Sequence, residues 1–207
     1  SYTTLNVPGL PGGALAGFGP WVLANQRSLD PGFVHTYNIS VQVRIDLNPG
    51  TSGNNIYTRC GQIIPGDPSR GEGLFNESYL DKNGDGITDE VREACGDLPY
   101  IVHTKTISSV AQTGARSFRV IYNIRVDNLG GAEGRYGLVD QPNFDDDISI
   151  LNANYISNAP SFPGGGLTGF GPWTLATNQL LASGGTHNFN VTVYAMIDLT
   201  VGSSGNN

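Results

Sequence analysis

The sequence predicts an all-β protein made of antiparallel β-sandwich repeats in tandem, and three observations carry that expectation. Apolar and polar residues alternate with a period of two in several stretches. Gly-, Pro- and Asn-rich turn signals separate those stretches, and one long segment recurs later in the chain. Of 207 residues, 38% are hydrophobic and only 14% charged, with 29 Gly and 12 Pro, which is the composition of short strands joined by many turns. There is one Met and no Ala/Leu/Glu/Lys-rich stretch, so little is left for helices.

In chain order, Tyr37, Ile39, Val41, Val43 and Ile45 line one side of a first strand. Residues 89–94 predict the one short helix. Residues 100–108 predict the next strand. Residues 117–127 alternate most cleanly: Phe118, Val120, Tyr122, Ile124 and Val126 face one way, and Arg119, Asn123, Arg125 and Asp127 the other. Residues 147–156 give a further strand. Residues 187–197 repeat the alternation through Phe189, Val191, Val193 and Ala195. Turns fall at Asn128-Leu129-Gly130-Gly131, Pro163-Gly164-Gly165-Gly166 and Ser183-Gly184-Gly185.

The recurrence is specific. GLPGGALAGFGPW at residues 9–21 returns as SFPGGGLTGFGPW at residues 161–173, an offset of 152 residues. The same offset pairs Leu29 with Leu181, His35 with His187, Ile45-Asp46-Leu47 with Ile197-Asp198-Leu199, and Ser52-Gly53-Asn54-Asn55 with Ser204-Gly205-Asn206-Asn207. About half of the overlapping positions are identical without a gap. A period this long suits a whole domain rather than a solenoid unit of ~20–50 residues. Residues 1–98 then read as the C-terminal part of one repeat and residues 99–207 as the N-terminal part of the next. The expected partners are neighbouring repeats and other copies of the chain in a fibre or bundle, which could lend missing strands.

The run Thr104-Lys105-Thr106, Phe118, Tyr122-Asn123-Ile124-Arg125-Val126-Asp127-Asn128-Leu129-Gly130-Gly131 resembles the opening of a repeat domain of large bacterial surface and adhesin proteins, the Ig-like "domain of unknown function 11" class. Gly169-Phe170-Gly171-Pro172-Trp173, residues 187–193 and Gly73-Leu74-Phe75-Asn76 resemble later parts of that repeat in the same order. The resemblance implies an Ig-like β-sandwich with a stalk-like or adhesive role, and brings no catalytic residues with it.

The net charge of −7 argues against a nucleic-acid partner, since phosphate binding needs a Lys/Arg face. No apolar run approaches the ~18 residues that cross a bilayer. The sharpest chemical signal is the loop from Asp81 to Glu90. Asp81, Asn83 and Asp85 offer oxygens at alternate positions, Gly86 the sharp turn, Ile87 a carbonyl and Asp89 a further carboxylate, the spacing of a calcium loop. Arg92 stands where the closing bidentate acid is expected, so Glu93 or Glu90 must complete the shell, or water. The alternative is a solvated Asp/Asn/Gly turn, but it leaves the repulsion of four clustered acids uncompensated. Asp145, Asp146 and Asp147, preceded by Asp140, form a second acidic cluster that either binds calcium near a domain junction or merely opens a strand.

Cys60 and Cys95, the only cysteines, flank the loop and predict a disulfide in an oxidising, extracellular or cell-surface compartment. Closing ~35 residues would contribute roughly 3–4 kcal/mol in the chain-entropy account. Zinc is the weaker alternative because His35, His103 and His187 are isolated. Trp21 and Trp173 either plug a core corner or form a sugar-stacking platform. With no nucleophile–base set or phosphate-cradling loop apparent, the expectation is a non-enzymatic structural module of a surface stalk, adhesin or appendage, gripping an unknown surface target. The alternative is a glycan- or ligand-binding module.

Overall fold

A computed structural model of the chain describes residues 1–17, 19–45 and 73–198, all of them in strands, turns and irregular backbone. Two compact units emerge, Ser1–Asn55 with Glu77–Arg92, and Ile56–Asn76 with Glu93–Asn207. Each is considered separately.

In the second unit, seven strands run from β6 to β12: β6 Ile101–Gln112, β7 Ser117–Asn128, β8 Gly134–Asp140, β9 Ile148–Ser157, β10 Gly164–Leu167, β11 Trp173–Leu181 and β12 Thr186–Ile197. Five form an antiparallel sheet in the order β10-β9-β12-β7-β6, and β11 pairs with β8 in a separate two-stranded sheet. The period-two pattern explains the arrangement, because each strand presents every second residue to a shared interior. Ile124 and Val126 of β7 and Phe189, Val191 and Val193 of β12 meet Leu138 of β8 and Trp173, Leu175 and Leu181 of β11 in one buried cluster. The register places Ile124 opposite Phe189 and Val126 opposite His187.

A polar clamp sits at one end of this core. The buried Asn128 side chain donates from Nδ2 to the carbonyls of Ala132, Leu181 and Ala182 at 2.8, 3.1 and 3.2 Å. Its Oδ1 accepts from the amides of Tyr100 and Gly130, both at 3.1 Å. Gly130 is needed here, since a Cβ would meet the Tyr100 amide nitrogen and the Pro99 carbonyl carbon. At the opposite side of the sheet, β6 is an edge strand among the described residues. It is mostly exposed and interrupted by a bulge between Ile107 and Ser109.

The first unit contains β1 Tyr2–Leu5, β2 Gly12–Gly13 and β3 Thr36–Ile39 in an antiparallel sheet of order β2-β1-β3. The expected strand at residues 37–45 is thus short, ending at Ile39. A further hairpin is formed by β4 Asn76–Leu80 and β5 Glu90–Ala94. The short helix expected at residues 89–94 is therefore corrected to a strand. Pairing with β4, closed by the Asp89 amide donating to the Leu80 carbonyl at 2.9 Å, overrides the helix preference of Glu, Arg and Ala.

The two matching stretches share several local features, although residues 173–181 form β11 while residues 21–29 lie in no strand. Trp21 donates its indole N–H to the Ala16 carbonyl at 2.9 Å, and Trp173 to the Thr168 carbonyl at 3.0 Å. Gln26 and Asn178, 152 residues apart, both lie in the left-handed region at φ 46° and 49°. The Tyr2–Gly13 pairing of β1 with β2 returns as Tyr155–Gly165, and Tyr2–Ile39 as Tyr155–Val191. These pairs show that Tyr2 corresponds to Tyr155, one residue off the constant offset. The first copy thus holds one extra residue between this strand and the Pro-Gly-Gly turn, a gap the sequence comparison alone did not reveal.

Candidate metal centres

The loop between β4 and β5 is built by its own side chains. Asp81 Oδ1 accepts from the amides of Asn83 and Gly84 at 3.1 and 2.6 Å, and Oδ2 from Gly86 at 2.7 Å. Asn83 Oδ1 accepts from the Asp85 amide at 3.0 Å, Asp85 Oδ1 from Ile87 at 2.8 Å, and Asp89 Oδ2 from Lys82 at 2.6 Å. Gly84 and Gly86 hold φ of 78° and 85°, which glycine adopts freely. The bond from Gly86, followed by those from Gly84, Asn83 and Asp85, keeps the Asp81 carboxyl below its ordinary range.

Glu90 forms ion pairs with Lys82 and Arg92, at 2.5 and 2.6 Å. The Lys82 bond leads in lowering its carboxyl. Glu93 lies exposed on β5. The loop acids are thus oriented by amides and cations already present. Their carboxylates do not gather three ligand atoms within 4.8 Å, a spacing that only Asp145, Asp146 and Asp147 reach among the described residues.

That second cluster lies where the chain enters β9. Asp145 Oδ1 accepts from the Asp147 amide at 3.0 Å, folding the turn back on itself, and the Asp147 carbonyl accepts from the Asp198 amide at 2.7 Å. Asp145 and Asp146 are exposed, whereas Asp147 is buried and its Oδ1 has no hydrogen-bond partner. Burial first, then the charges of Asp145, Asp146 and Asp198, push the Asp147 carboxyl above its ordinary range. A hard cation accepts such oxygens and neutralises that repulsion, so the cluster can hold a metal ion. The site residue that sequence reading missed is Asp198. The signal was present in the recurring Ile-Asp-Leu run, but its acid was not connected with residues 145–147. Asp140, in contrast, belongs elsewhere.

Asp140 forms an ion pair with Lys105, whose ammonium lies 4.6 Å from the Tyr122 ring centre. With Phe144, Trp173 and Val193 they border a cleft of about 220 Å³. Burial and the Asp140 charge raise the Tyr122 hydroxyl. Lys105 and Asp140 neutralise one another, and the Trp173 ring is buried rather than presented for stacking. His187 is a core residue whose Nδ1 meets the Tyr136 hydroxyl at 2.7 Å.

The expected Cys60–Cys95 disulfide lies partly outside the described residues. Cys60 falls outside them, while Cys95 is bonded and not a free thiol. The acidic loop is held within the described residues by the hairpin ladder and its Asx bonds. Among the described residues no helix is long and apolar enough to cross a membrane.

No family model, curated protein or solved structure matches the chain. The likeness to bacterial surface repeats therefore rests on the residues quoted for it alone.

Proposed function

We propose that this chain is a structural, non-catalytic repeat module of a long bacterial extracellular or cell-surface stalk, adhesin or filamentous appendage, built of Ig-like β-sandwiches and stiffened by calcium. The observation that carries this reading is the conformational match between stretches 152 residues apart, in indole hydrogen bond, left-handed residues and strand pairing. Local sequence that folds alike twice in one chain is what a recurring domain requires. Calcium is supported by the partnerless buried oxygen of Asp147 beside Asp145 and Asp146, with Asp81, Asn83, Asp85, Ile87, Asp89 and Glu93 as the second candidate set.

Concatenated chains of two and four repeats test the reading by small-angle scattering in calcium. The maximum dimension should grow by a constant step per repeat, and chelation should lower both stiffness and melting temperature. Concatemers that condense into compact particles of unchanging length would end it. A glycan-binding module finds less support, because Trp173 spends its ring on the core and its N–H on Thr168.

A further inference from the structure

Two opposite charges in the second unit face into the space between its sheets. In the register of β6 with β7, Lys105 stands directly opposite Ile124, and Asp140 of β8 stands opposite Trp173 of β11. Residues paired across antiparallel strands share a face, and Ile124 and Trp173 both belong to the buried core. Lys105 and Asp140 therefore project inward from different sheets, and Lys105 Nζ meets Asp140 Oδ1 directly. The same ammonium lies 4.6 Å from the centre of the Tyr122 ring, which flanks it from β7.

Stability alone is a poor reason for this pair. Two charges at the margin of an apolar core lose hydration that their attraction offsets incompletely, and an apolar pair in the same space commonly does as well. What the arrangement supplies is an amine held against a carboxyl. The Asp140 side chain is only 6% exposed, whereas that of Lys105 is 36% exposed. The carboxyl is thus shielded from bulk water, and the amine reaches it from the rim. Both border the cleft of about 220 Å³, through which a small product can leave. Well-oriented partners reach effective molarities of about 10⁵–10⁸ M, so a condensation that dilute amine and carboxylate do not undergo becomes accessible.

We propose that Lys105 and Asp140 are a modification site at which the chain forms an intramolecular amide bond, tying β6 to β8. The ion pair is the precursor and contains every atom needed. One ammonium proton passes to the carboxylate, leaving a neutral amine and a neutral acid, the forms that a water-poor setting penalises least. Nζ then attacks Asp140 Cγ and the Nζ–Cγ bond forms. The Cγ–OH bond breaks, and the hydroxyl leaves with a second proton from Nζ as water. The third proton stays on the amide nitrogen. No oxidant, reductant or activated donor takes part, and one cation and one anion disappear together. The link joins the five-stranded sheet to the two-stranded sheet, so parting the two layers at this point requires breaking a covalent bond. It does not depend on the repeat reading above.

Mass spectrometry of the reduced, denatured full chain tests the bond. The intact mass should lie below the sequence mass by one water molecule, and proteolysis should release one branched peptide joining the segment of Lys105 to that of Asp140. Lys105→Arg keeps the cation but offers no amine for the amide, so it should restore the full sequence mass, as should Asp140→Ala. The parent mass and its branched peptide decide the question even where a variant folds poorly. A folded parent chain that stays at the full sequence mass after prolonged incubation would overturn the proposal. So would a water loss that persists in Lys105→Arg, as ring closure at Asp85-Gly86 would produce, or a branch between other residues.

Discussion

Replacing Asn128 by alanine should cost the second unit about 3 kcal/mol, and the figure follows from what the side chain holds. Its five hydrogen bonds tie the turn after β7 to the start of β6 and to the end of β11. Alanine removes all of them in a fully buried place, taking its acceptor from the buried Gly130 amide and its donor from three carbonyls. Each such loss costs ~1–3 kcal/mol, and the Tyr100 and Gly130 amides, which both lose the Asn128 acceptor, together give about 3 kcal/mol without counting the carbonyls or any cavity. Against a total stability of roughly 5–15 kcal/mol this is a large loss. It corresponds to a fall in melting temperature of about 10–20 °C for a unit of this size.

Urea unfolding at pH 7, followed by tryptophan fluorescence, measures it. Leu129→Ala, next door and exposed, is the control and should change little. Asn128→Asp keeps the acceptor but buries a charge, so its deficit should shrink as the pH falls toward the carboxylate range. An alanine variant within 1 kcal/mol of the parent, by the scale of an ordinary surface substitution, would refute the clamp argument.

Three further outcomes are expected. Because burial and neighbouring carboxylates raise the Asp147 carboxyl, its ionisation opposes folding above the ordinary value of 3.8. Asp147→Asn should thus raise the melting temperature at pH 7 in chelator and abolish most of the calcium-induced rise, as scanning fluorimetry would show; an equal calcium response in both proteins contradicts the site. Burial lowers the His187 imidazole below 6.5, so the unfolded chain binds a proton that the folded chain resists as the pH drops through that value. Stability should therefore be full above about pH 6.5 and decline below it, and His187→Gln should flatten that part of a pH-dependent denaturation series. Finally, with Trp21 replaced by Phe, acrylamide should quench the remaining Trp173 only weakly; strong quenching would place its ring at the surface and revive the sugar platform.

What could be read from sequence divides along the range of the interactions involved. β7 and β12 were plain because apolar residues recur at every second position along both, an alternation the burial of β12 follows, and a period of two survives without knowledge of the partner strand. The corner around Trp173 was legible because it is fixed locally, by an indole bond to a carbonyl five residues away. The hairpin strand β5 was not, since Glu90-Val91-Arg92-Glu93-Ala94 has a helical preference that only pairing with β4 overturns.

Long-range convergence was equally invisible. Asn128 looked like a turn residue, but its partners lie up to 54 positions away. Asp198 joins the acidic turn only because β12 runs alongside β9. Asp140 and the acidic triad are near in sequence, yet the salt bridge to Lys105 draws Asp140 into a different cleft.

The outer strand β6 bears a last consequence. Twelve residues of sheet edge would ordinarily invite a neighbouring molecule to zip alongside, and crowded display of such chains would fuse them. Here the charged head of Lys105 is committed to Asp140 of β8, and the register slips by one residue just beyond it. A straight incoming strand can match only one side of that slip. Side-by-side pairing of such edges would then be checked by a single misfit in the middle of β6.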